Sequence, residues 1–147
     1  MIERAITLAI VAALVVLTVA AVRVWSTRRV ERLRAYQGEP LWSALGESPD
    51  GRPSLVVFST PGCTACRTVQ LPAVEAVEAR FGEALRILKV DLSRRPAVGE
   101  AFKVLTAPTT VLLGVDGRVG RVNHGFAPAD QLAAQLSALG VSPASLR

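Results

Sequence analysis

The chain has 147 residues, a length that supports one compact domain and an appendage. Its formal charge of +5 sits almost wholly at the N-terminus, where residues 1–38 carry six arginines against Glu3 and Glu31, so a basic folded surface for nucleic acid is excluded. Two cysteines, Cys63 and Cys66, are too few for a secreted disulfide scaffold and point to one local redox or metal site.

Ala5 to Val22 carry no charge and only two threonines. As a helix this run spans roughly 27 Å, near the thickness of a bilayer core. The mean hydropathy of +0.37 and the 50 % hydrophobic content follow from it. Residues 1–25 therefore read as one N-terminal transmembrane helix. Its apolar run exceeds a signal-peptide core, and only Arg4 precedes it, so an uncleaved anchor is expected. Arg23, Arg28, Arg29, Arg32 and Arg34 follow the span. By the positive-inside rule they predict a single-pass protein of the cell membrane with its main domain in the cytoplasm. An outward-facing domain is the alternative. Residues 26–39 read as a basic juxtamembrane helix and linker whose arginines either face anionic lipid or form a solvated flank.

Gln37-Gly38-Glu39-Pro40 is expected to break the chain and open a domain over residues 40–140. Leu41, Trp42 and Leu45 have helical spacing and predict a short helix over 40–46, Trp42 serving as packing. Ser54 to Ser59 is a short apolar run, a buried central strand. After the Thr60-Pro61-Gly62 turn, a helix is predicted from Cys63 to Phe81. Val69, Ala73, Val77 and Phe81 form its buried face, Pro72 is its kink and Gly82 its stop.

Leu85 to Leu92 is a second strand, with Ile87, Leu88 and Val90 buried. Ala97 to Lys103 is a short helix. Thr109 to Leu113 and Arg118 to Asn123 are strands joined through an Asp116-Gly117 hairpin turn. Pro128 to Leu139 is a last helix ended by Gly140. Residues 141–147 read as a loose tail. Parallel strands with crossover helices, then one hairpin, predict an α/β domain: a mixed central sheet flanked by helices on both faces.

The unit that carries chemistry is strand, then Thr60-Pro61-Gly62-Cys63-Thr64-Ala65-Cys66-Arg67, then helix. A cysteine at a helix start sits among unsatisfied N–H groups, and the helix dipole favours its thiolate. Cys63 is the expected attacker. Cys66, one turn on, is the expected resolver of the mixed disulfide. Arg67 either adds positive potential there or is simply solvated.

Over residues 40–140 the chain resembles the thioredoxin superfamily. The strand Leu55 to Phe58, the Cys63-Thr-Ala-Cys66 pair, the Ala107-Pro108-Thr109-Thr110-Val111-Leu112 segment and the hairpin ending in His124-Gly125 match in order. The resemblance implies a thioredoxin-like fold and a thiol–disulfide oxidoreductase in which Cys63 and Cys66 form the redox-active disulfide. It implies that Pro108 is a cis-proline packed beside the pair. Gly62, Ala107 and Pro108 would then bind the substrate chain. It also implies protein thiol or disulfide substrates, a separate electron-donating or electron-accepting partner, and a monomer with no cofactor.

Three departures stand beside the match. Thr64-Ala65 replaces the Gly-Pro dipeptide of thioredoxins proper, and Gly62 replaces a tryptophan. Val57 stands where the family has a buried aspartate that helps deprotonate the resolving cysteine. Pro72 follows Cys66 by six positions rather than five.

A thiol-based copper chaperone is a competing reading, since thiolates suit Cu(I). The only methionine is Met1, however, and only His124 could join the cysteines, too few ligands for structural zinc, so no metal is expected. A non-catalytic interaction module is the other competitor. His124 reads as a surface residue at a strand end.

Overall fold

The computed structural model describes residues 15–19 and 38–144. The chain divides into two compact units, Met1–Ala35 and Tyr36–Arg147. In the first, residues 15–19 are helical with exposed side chains. The predicted anchor and juxtamembrane segment otherwise lie outside the described residues. Among the described residues no helix is long and apolar enough to cross a membrane.

The second unit opens with α1 (Gly38–Leu45), followed by β1 (Ser54–Ser59). After the cysteine turn come a π-turn (Cys66–Gln70) and α2 (Leu71–Phe81). Then follow β2 (Arg86–Asp91), α3 (Pro96–Phe102), β3 (Thr109–Leu113), β4 (Val119–His124) and α4 (Ala129–Ala138). The expected break at 37–40 instead starts α1 at Gly38. Pro40 falls in the first turn, where a missing backbone N–H costs nothing.

The sheet has the order β2-β1-β3-β4. Only β1 and β2 pair in parallel, while β3 runs antiparallel to both β1 and β4. The expected run of parallel strands thus reduces to one pair.

Alternation along β1 explains its unbroken apolar character. Leu55 and Val57 face a core built with Val74, Val77 and Phe81 of α2 and with Leu132 and Leu136 of α4. Val56 and Phe58 face the opposite core, with Leu41 and Trp42 of α1 and with Val98 and Phe102 of α3. A central strand buried on both faces has no polar side to show. Each such side chain contributes roughly 1.5–3 kcal/mol on burial.

Three expectations are corrected here. Ile87 and Leu88 are half-buried rather than buried, because β2 is an edge strand; only Val90 is fully covered. Val141 is not in a loose tail but buried in the α2–α4 core, and the Ala144 N–H donates to the Arg80 carbonyl at 3.0 Å. Residues 145–147 lie outside the described residues. Val69 is 41 % exposed, and Gln70 takes the buried place in its stead.

The cause of the Val69 correction is local. The Leu71 N–H bonds the Cys66 carbonyl, five residues back, so one extra residue is looped into the helix. The buried face is rotated past Val69. The six-residue interval from Cys66 to Pro72 is thereby absorbed, and the irregularity lies upstream of Pro72, which falls in the first turn of α2.

Trp42 ties α1 to the β3–β4 turn, its indole N–H donating to the Gly117 carbonyl at 3.1 Å. Gly117 has φ +72°, and a Cβ there would come within 2.4 Å of Trp42 Nε1. Gly117→Ala therefore forces a strained backbone and displaces the indole. We expect it to cost about 1–3 kcal/mol of stability, read as a lowered Tm and urea midpoint. An unchanged midpoint would count against this tie.

Candidate active site

The register collects four strand ends at one end of the sheet. Ser59, last in β1, pairs with Asp91, last in β2. Thr109, first in β3, pairs with Phe58 on one side and His124, last in β4, on the other. The loops that leave or enter at these points carry Cys63, Pro108 and Gly125. Residues far apart in sequence thus meet because strand pairing leaves them no other place.

The Cys63 N–H bonds the Thr60 carbonyl at 3.1 Å and closes the turn after β1. Thr64 and Ala65 are the first helical residues, so Cys63 stands at the helix entry. The N–H of Cys66, which lacks an acceptor within the helix at that position, donates to Cys63 Sγ at 3.1 Å. The two cysteines form a disulfide with a Cα–Cα distance of 5.3 Å. Cys63 is half-buried, whereas Cys66 is only 7 % exposed.

That asymmetry distinguishes the two sulfurs chemically. Once the bond is reduced, the Cys66 N–H and the positive helix end both favour negative charge on Cys63 Sγ. Cys63 is also the sulfur that a bulky partner can reach. Arg67 folds back so that Nη1 donates to the Pro61 carbonyl at 3.3 Å, which holds a cation over the same turn while leaving it exposed.

The Ala107–Pro108 peptide is cis. Pro108 is buried, Ala107 half-buried and Gly62 exposed on the cysteine turn. The Thr109 hydroxyl donates to the Thr106 carbonyl at 2.8 Å, and the Gly125 N–H to the Pro108 carbonyl at 2.8 Å. Behind this loop, Asn123 donates to the Thr110 hydroxyl at 3.1 Å and exchanges two hydrogen bonds with Gln135, at 2.9 and 2.8 Å. His124 is exposed at the end of β4, and among the described residues no group of His, Cys, Asp and Glu side chains is arranged to hold a metal ion.

Two features escaped sequence reasoning. The first is a cleft of about 420 Å³ beside Cys66, lined among others by Val57, Pro61, Leu71, Lys89 and Asp91. Lys89 enters it because β2 pairs Lys89 with Val57. The Ser93 hydroxyl and N–H both donate to Asp91, and these bonds hold its carboxyl below the usual carboxylate range. Asp91 is therefore ionised at neutral pH and a poor proton acceptor for the Cys66 thiol. The second is Gln70, whose burial only the π-turn explains.

The family model described as Thioredoxin matches residues 46–138. The chain is 35 % identical over 78 residues to thioredoxin of Listeria monocytogenes, covering 53 % of this chain and 74 % of that one. It is 30 % identical over 78 residues to thioredoxin of Bacillus subtilis, covering 53 % and 73 %. Among solved structures, chloroplastic thioredoxin z superposes with a TM-score of 0.59 at 20 % identity, covering 72 % of this chain and 92 % of that one. A mutant thioredoxin from Halobacterium salinarum gives a TM-score of 0.56 at 24 % identity, covering 62 % and 77 %. At such identities the two structures speak for the fold alone.

Proposed function

This chain belongs to the thioredoxin family, and on that premise we propose that it exchanges disulfides with protein substrates beside a membrane, tethered there by its N-terminal segment. Its activity is that of a thiol–disulfide oxidoreductase. When it acts as a reductant, the Cys63 thiolate attacks one sulfur of the substrate disulfide. The other substrate sulfur leaves as a thiolate and takes a proton. Cys66, losing its proton, then attacks Cys63 Sγ and expels the second substrate sulfur. Two electrons pass to the substrate, and the Cys63–Cys66 disulfide is the product. Oxidation of a substrate dithiol is the same path reversed.

The observation that carries this reading is the pairing of a reachable Cys63, its Sγ held by the Cys66 N–H, with a buried Cys66 behind it. We place the substrate chain along Gly62, Ala107 and Pro108, at the sheet end where the register gathers the loops that carry them. Cys66→Ser should leave the first attack intact and remove the second. Mixed disulfides between Cys63 and protein partners should then accumulate on non-reducing gels and vanish with dithiothreitol. A trap that stays empty counts against protein substrates.

The tether rests on the uncharged run Ala5–Val22 and the arginines that follow it. The protein should sediment with membranes, resist a high-salt wash and dissolve in detergent. Placement on the cytoplasmic side follows from the same arginines. A membrane-impermeant maleimide should label reduced Cys63 only after cells are opened; labelling in intact cells reverses the orientation.

A further inference from the structure

Gln70 is fully buried, and both ends of its amide are used. Its Oε1 accepts the Ala127 N–H at 2.9 Å, and its Nε2 donates to the Ala127 carbonyl at 3.2 Å. Two residues before Ala127, the Gly125 N–H donates to the Pro108 carbonyl at 2.8 Å. Phe126 lies between these two anchors and is 48 % exposed. The short loop from β4 to α4 is therefore pinned on one side to the cis-proline loop and on the other to the cysteine helix. The aromatic ring is the part left outside.

The pin exists because of the π-turn. A regular helix from Cys66 onward would carry the face with Val69 inward, as its apolar spacing suggests, and a valine has nothing to offer a backbone N–H or carbonyl. The extra residue turns Gln70 in instead. Burying an amide is unfavourable unless both its donor and its acceptor are satisfied, and one loop residue, Ala127, satisfies both through its N–H and its carbonyl.

We propose that Gln70 is a positioning residue for protein substrates: it fixes the Gly125–Ala127 loop so that Phe126 stands as an apolar contact for the substrate chain next to Cys63. The inference rests on the protein-substrate reading given above. An exposed aromatic that is held rigid loses little entropy on binding and buries a large area. Without the Gln70 bonds, the loop keeps only its Pro108 anchor and the ring loses its fixed direction. Gln70 then acts on KM through Phe126 and takes no part in sulfur chemistry.

The test is a double-mutant cycle in dithiothreitol-driven reduction of insulin. Gln70→Met keeps the volume and removes both hydrogen bonds; Phe126→Ala removes the ring. Each is expected to raise KM roughly tenfold, the scale on which an aromatic anchor acts, with kcat little changed. The double variant should be no worse than either single one, since both remove the same contact. The equilibrium potential against glutathione should stay at the wild-type value.

Additive effects, an unmoved KM, or a shifted potential in Gln70→Met would overturn the proposal. Should Gln70→Met not fold, the test rests on Phe126→Ala. Phe126 is exposed and its variant keeps the core, so an unmoved KM in Phe126→Ala alone is also sufficient to overturn it. Wild-type reduction of a small aromatic disulfide is measured in parallel. Activity there with none on insulin defeats the protein-substrate reading itself, whereas activity on both with an unmoved KM defeats only the role of Gln70.

Discussion

Replacing Cys63 by serine is expected to lower kcat/KM for disulfide exchange by about ten-thousandfold or more, the scale of losing a catalytic nucleophile. A serine hydroxyl stays protonated near neutral pH, so the Cys66 N–H and the helix entry have no anion to stabilise there. Cys66 cannot substitute, because it is 7 % exposed and lies behind the turn. A substrate disulfide that must approach along the sheet end cannot bring its sulfur into line with a buried thiol. The loss should appear in both kcat and kcat/KM, since the missing interaction is the bond-forming one. Tm of the reduced protein should be nearly unchanged, because a half-buried thiol and hydroxyl pack alike. Insulin reduction that persists in Cys63→Ser would mean that Cys66 attacks first. The assignment of roles from burial would then be reversed.

The parts of this fold that were legible before the structure are those set by composition over a short window. β1 shows itself because the four residues between Ser54 and Ser59 are all apolar and all buried, alternately on the two faces of the sheet. The hairpin shows itself through Asp116-Gly117, and α4 through its proline start and glycine stop. What could not be read depends on partners. Ile87 and Leu88 look as buried as Val90 until β2 is known to be the edge strand. Val141 looks like tail until its side chain is placed between α2 and α4.

The π-turn is the clearest case. Val69 and Gln70 compete for one inward position, and helical periodicity favours the valine. The loop peptide at Ala127 decides for glutamine, and that loop lies 57 positions away. The one signal in the sequence was the six-residue interval between Cys66 and Pro72, one more than the resemblance implies. The redox pair itself was legible because its chemistry is local: a turn, a cysteine at a helix entry and a second cysteine one turn on. The cleft behind it was not, since Lys89 reaches it only through the register of β1 with β2.

That cleft supports the second large prediction, on Val57→Asp. Val57 is buried in the α2–α4 core and also forms part of the cleft wall beside Cys66. A carboxylate there loses solvation, and Lys89 opposite it offers only partial compensation. We expect a cost of about 2–4 kcal/mol, the range for a polar group buried without full pairing. The sign with pH follows from desolvation. The folded-state pKa of the new carboxyl lies above its unfolded value, so the penalty is largest in mildly alkaline solution. It fades as pH falls through the folded pKa, because the neutral acid is the form that burial tolerates. Urea midpoints of the variant and the wild type should therefore converge on acidification.

The same carboxylate should change the chemistry in the opposite direction. In the parent chain the carboxylate of the cleft, Asp91, accepts two hydrogen bonds from Ser93 that hold it below the usual carboxylate range, so it is a weak base for the Cys66 proton. An aspartate at position 57, its pKa raised by burial, supplies a stronger one. Resolution of the mixed disulfide should then accelerate about tenfold, a modest general-base effect. The first attack by Cys63, on the far side of the turn, should keep its rate. Rapid-quench kinetics separates the two steps through the lifetime of the mixed disulfide. An unchanged lifetime in a folded variant would mean that the Cys66 proton does not leave through the cleft. It would then have to pass to the departing substrate thiolate, and the substrate itself would set the rate of resolution.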